Sequence, residues 1–371
     1  MKKVLLSLIV VFLISPFIPH PIAAQVKVGV VGPLTGPIAT TGFSMRNGII
    51  LAAEEINAAG GIKGVGKIDL VVEDSRCLPS DSVTAAHKLV TRDRVVAVIG
   101  DICSPATAAS MRVTQKAETP QLTPLSSAYS ITEAGNPWIF RIQINSRREA
   151  ATMADFAVKE LGLKKLATLF ESGDFGQDGA NIIKQTLAKY GLRPLVEESI
   201  RRGDKDFSGQ LLKVKESGAE GVFLWTIFGE AALIMKQAKS LGINFVPLGG
   251  NPQAHPDYIK LAGEAAEGTY TNAAFVSTDP DPKVQDFVRK YQARFREVPD
   301  PGAALGYDTM KVLAVAIERA ASLDRHKIRE ALLAVRYPGI TGEISFDPKG
   351  DTIRDPKIII VKGGKHIRLQ K

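Results

Sequence analysis

Apolar and polar positions in this chain switch between two periods. Short β-branched runs, bounded by Gly, Pro, Asn or Asp, alternate with stretches whose apolar residues recur at helical spacing. The first run, Val26-Lys-Val-Gly-Val-Val31, predicts a strand. A Gly/Pro loop over 32–37 follows. Met45, Ile49, Ala52, Ala53 and Ile56 then share one face of a helix predicted over 42–59 and stopped by Gly60-Gly61. The alternation continues with a strand at 68–72, a helix at 81–92, a strand at 95–99, a helix at 104–117 and short strands at 121–123 and 138–142. It repeats with helices at 147–161, 177–190, 207–216 and 230–240 between strands at 166–170, 193–198, 221–225 and 244–248. From Pro282 the chain is more helical, over 283–295, 303–321 and 324–335, and two late strands are expected at 343–346 and 357–361. This order predicts an α/β protein with parallel sheets, helices on both faces, and ligands at the carboxyl ends of the strands. No low-complexity linker divides the chain, which fits domains that exchange it more than once.

The N-terminal segment changes where the protein is expected to work. Lys2 and Lys3 precede an apolar run from Val4 to Ile14, and Ala23-Ala24 precede Gln25. This is the layout of a secretory signal cleaved after Ala24. The run is too short to span a bilayer, and no Cys lies near the site to be acylated. Removing 24 of the 371 residues leaves 347, enough for two domains, and the loss of two lysines takes the formal charge from +8 to +6. Basic residues are interleaved with acids apart from the short clusters Arg147-Arg148 and Arg201-Arg202. No basic stripe with aromatics is present, so nucleic acid is not an expected partner.

Candidate chemistry centres on Gly100-Asp-Ile-Cys-Ser-Pro-Ala-Thr107, between a predicted strand and a predicted helix. With Ser104 at the N-cap and Pro105 at N1, several backbone N–H groups would point outward at the positive end of a helix dipole. That suits a carboxylate, although the same pattern serves as a plain cap. Cys77 and Cys103 are the only cysteines; each follows a predicted strand, and neighbouring parallel strands would bring those ends together. In an exported chain the even count is compatible with a disulfide; two free thiols or a metal pair are the alternatives. Gly61-Ile-Lys-Gly-Val-Gly66-Lys67 imitates a phosphate loop, but Ile68 replaces the Ser or Thr that would hold magnesium, and a strand follows rather than a helix. His20, His87, His255, His326 and His366 are scattered, and no nucleophile elbow occurs. Neither a metal, a cofactor nor an enzymatic activity is expected.

Taken in order, the motifs resemble those of type I periplasmic solute-binding proteins of the branched-chain amino acid (Leu/Ile/Val) class. Val28-Gly-Val-Val-Gly-Pro-Leu-Thr-Gly-Pro37 resembles the family's first strand and loop. Glu54-Glu-Ile-Asn-Ala-Ala-Gly-Gly-Ile-Lys-Gly64 resembles the end of its first helix. Lys205-Asp-Phe-Ser208 and Ala262-Gly-Glu-Ala-Ala-Glu-Gly268 resemble its second lobe. Cys77 and Cys103 fall where the family has its disulfide. The resemblance spans essentially the whole chain. It implies two doubly wound parallel-sheet lobes joined by three hinge crossovers, with lobe 1 at 25–143 and 274–351, and lobe 2 at 144–273 and 352–371. It also implies a monomer that closes on a small-molecule solute in the periplasm and delivers it to an inner-membrane ABC permease.

Residue by residue, the resemblance implies that Ser104 holds the ligand carboxylate through its hydroxyl and N–H. Leu125, through its backbone, and Ser126 and Ser127 would bind the ligand's amino and carboxylate groups. Phe175 would cap the ligand from lobe 2. Thr41 stands where relatives with aliphatic ligands often carry an aromatic. Phe228 would form a second aromatic wall, with Ile227 competing because the alignment slips by one residue. Tyr307-Asp308 lies near the cleft. One departure stands out: Asn251 occupies the position of a Glu that pairs with the ligand ammonium. Either Asp308 or another acid replaces that charge, or the ligand is an aromatic acid, a 2-oxo acid or an amide. A ligand sensor docking a receptor is the competing class of function, and a hydrolase using Ser104 lacks a base at recognisable spacing.

Overall fold

The computed structural model describes residues 24–369, so the expected signal segment lies outside them except for Ala24. The β-branched runs become strands of two separate sheets. In the first are β1 (Ala24–Gly32), β2 (Gly66–Asp74), β3 (Ala97–Ile99), β4 (Gln121–Thr123) and β5 (Ile139–Arg141). Their order is β2-β1-β3-β4-β5 and every pair is parallel. Between them run α1 (Ala39–Ala58), α2 (Pro79–His87), α3 (Ser104–Lys116) and α4 (Ser130–Glu133).

The chain then leaves this sheet and builds a second from α5 (Ser146–Lys159), β6 (Leu166–Glu171), α6 (Asp174–Ala188), β7 (Val196–Ile200), α7 (Ser208–Ser217), β8 (Gly221–Trp225), α8 (Phe228–Ser240), β9 (Val246–Gly249), α9 (Pro256–Ala262) and β10 (Tyr270–Ala273). It returns to the first sheet with α10 (Pro282–Phe295), α11 (Pro301–Ala320), α12 (Arg325–Leu333) and a ribbon of β11 (Tyr337–Gly339) and β12 (Gly342–Ile344). It ends on the second sheet with β13 (Lys357–Lys362) and β14 (Lys365–Arg368), giving the order β14-β13-β10-β9-β8-β6-β7. Three passages of the chain therefore join the two α/β lobes.

Each lobe has its own core. In the first, Val26, Val28 and Val30 of β1 pack with Met45, Ile49 and Ala52 of α1 and with Leu305, Met310, Leu313 and Ile317 of α11, all essentially buried. Each such side chain other than Ala52 contributes about 1.5–3 kcal/mol by leaving water. α1 and α11 touch almost backbone to backbone. A Cβ on Gly48 would lie 1.9 Å from the Ala303 carbonyl oxygen, and one on Gly306 would lie 2.3 Å from that of Met45. In the second lobe, Leu166, Phe223, Trp225 and Leu248 pack under α5 and α6, while Leu169 and Leu224 pack in one cluster with Leu211 of α7 and Ala231 of α8.

The first and third passages are stitched together. Arg141 is fully buried and donates from Nε and Nη2 to the two carboxylate oxygens of Asp351, at 2.8 and 2.7 Å. Asn145 Nδ2 donates to the same carboxylate at 2.8 Å. Arg354 Nη2 donates to the Ile142 carbonyl at 2.6 Å, and Arg148 Nη1 to the Arg354 carbonyl at 2.8 Å.

Four expectations change. The final strands do not extend a purely parallel sheet: β13 runs antiparallel to β10, and β14 to β13. The strand expected at 343–346 shortens and pairs in the small ribbon instead. Cys77 and Cys103 follow strands that are not neighbours, because β1 lies between β2 and β3; their disulfide, with Cα atoms 5.6 Å apart, reaches past the end of β1. Finally, Ser104 is the first helical residue rather than the N-cap. Cys103 is extended there, and the Asp101 carboxylate accepts the N–H groups of Ile102 and Cys103.

Candidate functional site

At the ends of most strands on the facing edges of the two sheets, a residue reaches one shared cavity of about 160 Å³. Ile102, Leu125 and Gln143 follow β3, β4 and β5. Glu171 ends β6, Arg202 follows β7, Ile227 follows β8, and Asn251 follows β9. The walls are mostly apolar, formed by Ile38, Ile102, Leu125, Phe175, Ile227, Phe228 and Leu305. The first turns of α3, α6, α8 and α11 all border the space through Ser104, Phe175, Phe228 and Pro301. Four positive helix ends around one cavity favour an anion there.

The wall from the first lobe is held by internal hydrogen bonds. Gly100 has φ +126°, and a Cβ on it would lie 1.9 Å from the Val31 carbonyl oxygen, so only glycine fits the turn. Gln121 Nε2 donates to the Gly100 carbonyl at 2.7 Å, and Thr123 Oγ1 to that of Asp101 at 2.6 Å. Asp101 Oδ1 accepts from Ile102 N–H at 2.6 Å and Cys103 N–H at 3.2 Å. Burial nonetheless pushes the Asp101 carboxyl up. Ser104 lines the cavity, and its Oγ accepts the Ala128 N–H at 3.2 Å.

Leu125, Ser127 and Thr41 also line the cavity. Ser126 does not: it is fully buried, with Oγ 2.7 Å from Thr107 Oγ1 and 3.2 Å from the Asp101 carbonyl, so it braces the turn from behind. Tyr307 does not either. Its hydroxyl donates to Glu55 Oε2 at 2.6 Å, its ring packs on Phe287, and it belongs to the core of the first lobe. Asp308 is fully buried and accepts from Thr341 N–H at 2.9 Å and Thr341 Oγ1 at 2.6 Å, anchoring the β11–β12 ribbon. It is not the acid that replaces a Glu at position 251.

The wall from the second lobe is more charged. Phe175 stacks on Trp225 with centroids 6.0 Å apart, and Phe228 lies flat on the His255 ring at 4.8 Å. Both Ile227 and Phe228 line the cavity. Asn251 lines it too, and donates from Nδ2 to Glu149 Oε2 at 2.7 Å. Glu171 is almost fully buried and accepts from Arg202 Nη2 at 2.7 Å; burial pushes its carboxyl up against the pull of that arginine.

His255 and Asp300 bridge the lobes, with Nε2 3.1 Å from Oδ2. Asp300 also caps α11 through the Ala303 N–H at 2.9 Å and accepts from the Ser44 hydroxyl. Burial raises its carboxyl, but His255, Ser44 and Ala303 outweigh it and hold the group below its ordinary value. Glu149, Glu171, Arg202 and His255 were not marked by sequence reasoning as site residues. Glu171 carried one usable signal, its position directly after the strand predicted at 166–170.

These features define a class: a two-lobed α/β solute-binding protein with its cavity at the strand ends. The family profile described as periplasmic binding protein matches residues 25–365, and the chain belongs to that family. It is 30% identical over 341 residues to the leucine-, isoleucine-, valine-, threonine- and alanine-binding protein of Pseudomonas aeruginosa, covering 91% of this chain and 90% of the relative. Its fold is similar to that of a leucine binding protein, LivK, from Thermotoga maritima, with a TM-score of 0.85, 30% identity, and coverage of 93% of this chain and 98% of the other. It is similar also to the branched-chain amino acid transporter substrate binding protein LivJ from Streptococcus pneumoniae, solved with isoleucine, with a TM-score of 0.86, 27% identity, and coverage of 92% and 98%.

Proposed function

We propose that this chain is the periplasmic capture component of an ABC importer and closes on a small carboxylate-bearing solute of the branched-chain amino acid class. The observation that carries this reading is the convergence of four helix N-termini, with Ser104 and Ser127, on one mostly apolar cavity. Backbone N–H groups and hydroxyls suit a carboxylate, and the apolar walls suit an aliphatic body. The names of the similar proteins support the same solute class and favour import over a sensor.

In this proposal lobe 1 comprises 25–143 and 274–351, and lobe 2 comprises 144–273 and 352–371. The three passages serve as hinges, and the His255–Asp300 contact forms as the lobes close. The chain is exported with cleavage near Ala24, acts as a monomer without cofactor or metal, and hands its solute to an inner-membrane permease. It binds rather than catalyses: Ser104 Oγ is bonded to a backbone N–H, not to a general base.

A thermal-shift screen of leucine, isoleucine, valine, their 2-oxo acids, benzoate and simple amides tests the reading. A bound solute at a hundredfold excess over its Kd should add about 2.7 kcal/mol of stability. Carboxylates that leave the melting temperature unchanged, or neutral amides that raise it as much, would overturn the proposal.

A further inference from the structure

Asn251 faces the cavity with a neutral amide, yet a fully buried acid stands directly behind it. Glu149 lies in the first turn of α5, and the one hydrogen bond to its side chain among the described residues comes from Asn251 Nδ2, at 2.7 Å. An amide that gives its NH2 group to Glu149 has its carbonyl Oδ1, a pure acceptor, left for a ligand. The backbone around the pair is fixed, because Asn272 Nδ2 donates to the Glu149 carbonyl at 3.2 Å.

We propose that Glu149 is the positioning residue that reads the solute's amino group: it holds the Asn251 carbonyl toward the cavity as an acceptor and supplies, one layer behind, the negative charge an ammonium needs. The assignment rests on the amino-acid reading above and names the group that would separate amino acids from other carboxylates. A desolvated ammonium facing only a neutral amide is costly, and a carboxylate in hydrogen-bond series with that amide removes much of the cost.

The surroundings allow the charge to appear when it is needed. Burial pushes the Glu149 carboxyl up to about 8, against the opposing pull of Asn251, Arg141 and Arg354. From β5, Arg141 is already paired with Asp351. From the third passage, the half-buried Arg354 donates to neutral groups, the Thr341 hydroxyl and the carbonyls of Thr341 and Ile142. On α5 itself, Arg148 donates to the Arg354 carbonyl. β10 contributes only the neutral Asn272. Across the cavity Glu171 is paired with Arg202 and His255 with Asp300, while Asp174 is exposed.

At neutral pH Glu149 is therefore mostly protonated in the free protein, and a cation beside Asn251 draws its proton off. Binding of an amino acid then releases a proton. Affinity should rise with pH by up to about tenfold per unit below pH 8 and level off above it. The same carbon skeleton without the amino group should show no such slope.

Calorimetry on the full chain decides the matter, using leucine and its 2-oxo acid at pH 6, 7 and 8, each in two buffers of different ionisation heat. The wild type should release protons on binding leucine and gain affinity from pH 6 to 8. Glu149→Gln should lose about tenfold or more for leucine, keep the 2-oxo acid within about twofold, and flatten the pH profile. The exchanged pair Asn251→Glu with Glu149→Gln should recover leucine binding without the slope. Leucine affinity in wild type that is independent of pH with no proton release, or a Glu149→Gln variant that weakens both solutes equally, overturns the assignment. A wild type that binds the 2-oxo acid but not leucine overturns it and narrows the solute class; one that binds neither removes the functional reading along with it. The wild-type proton release needs no variant, so the test survives a substitution that fails to fold.

Discussion

The two walls of the cavity are built on different principles. On the first lobe, the turn at 100–104 is bonded into its own sheet by Gln121 and Thr123, braced by Ser126, and tied to the end of β2 through Cys77–Cys103. On the second lobe, Trp225 Nε1, Thr226 Oγ1 and Gln253 Oε1 are buried and have no hydrogen-bond partner among the described residues, and acids and arginines cluster at Glu149, Glu171 and Arg202. A wall whose polar groups are matched but for Asp101 Oδ2 makes a rigid, general anchor for a carboxylate. A wall with unmatched polar groups and adjustable charge is where solutes of one class are told apart.

Breaking the rigid wall should have the largest effect. Replacing Cys77 and Cys103 by Ser should lower unfolding stability by about 3 kcal/mol in denaturant titrations, since the bridge closes a loop of 26 residues. It should also weaken every carboxylate solute together, because the freed turn carries Ser104. Stability that falls while affinity for all solutes is kept would separate the bridge from the site. Next, Ser104→Ala should cost about 1–3 kcal/mol of binding and little folding stability, by the same amount for each carboxylate.

Changes on the second wall should instead reorder solutes. Phe175→Ala removes a ring stacked on Trp225 and should cost about 1–2 kcal/mol for large aliphatic solutes, and less for alanine, in competition calorimetry. A uniform loss would contradict the division of labour between the walls.

The smallest effect concerns the bridge between lobes. The folded pKa of Asp300 lies below its unfolded value, so its contribution to stability is fully present above about pH 4 and is lost as pH falls through the lower folded pKa. Urea titrations at decreasing pH should show that loss in the wild type, and Asp300→Asn should remove it.

Much of the architecture was written in local periodicity, and the elements that escaped show where such reading stops. Tyr270-Thr-Asn-Ala273 has no strong strand pattern, yet it is buried because β9 and β13 pair on either side of it. Lys365-His-Ile-Arg368 reads as polar chain because β14 is a solvated edge strand. The residues of the 100–127 region were legible because one turn and one loop bring near neighbours in sequence to the cavity. Ser126 and Ser127 nonetheless differ in which way they face. Tyr307 departs from its expected place for a long-range reason: the rotation of α11 is set by its glycine contact with α1, which turns the ring into the core. The Asn251–Glu149 pair spans 102 positions, and nothing local to either residue announces it.

The central claim is that Ser104 and the helix ends beside it anchor the carboxylate of whatever solute is captured. Calorimetry of wild type and Ser104→Ala with leucine, valine and the 2-oxo acid of leucine tests it most directly. The account predicts a loss of about 1–3 kcal/mol that is the same for all three. Unchanged affinity, or a loss confined to the two amino acids, would contradict it.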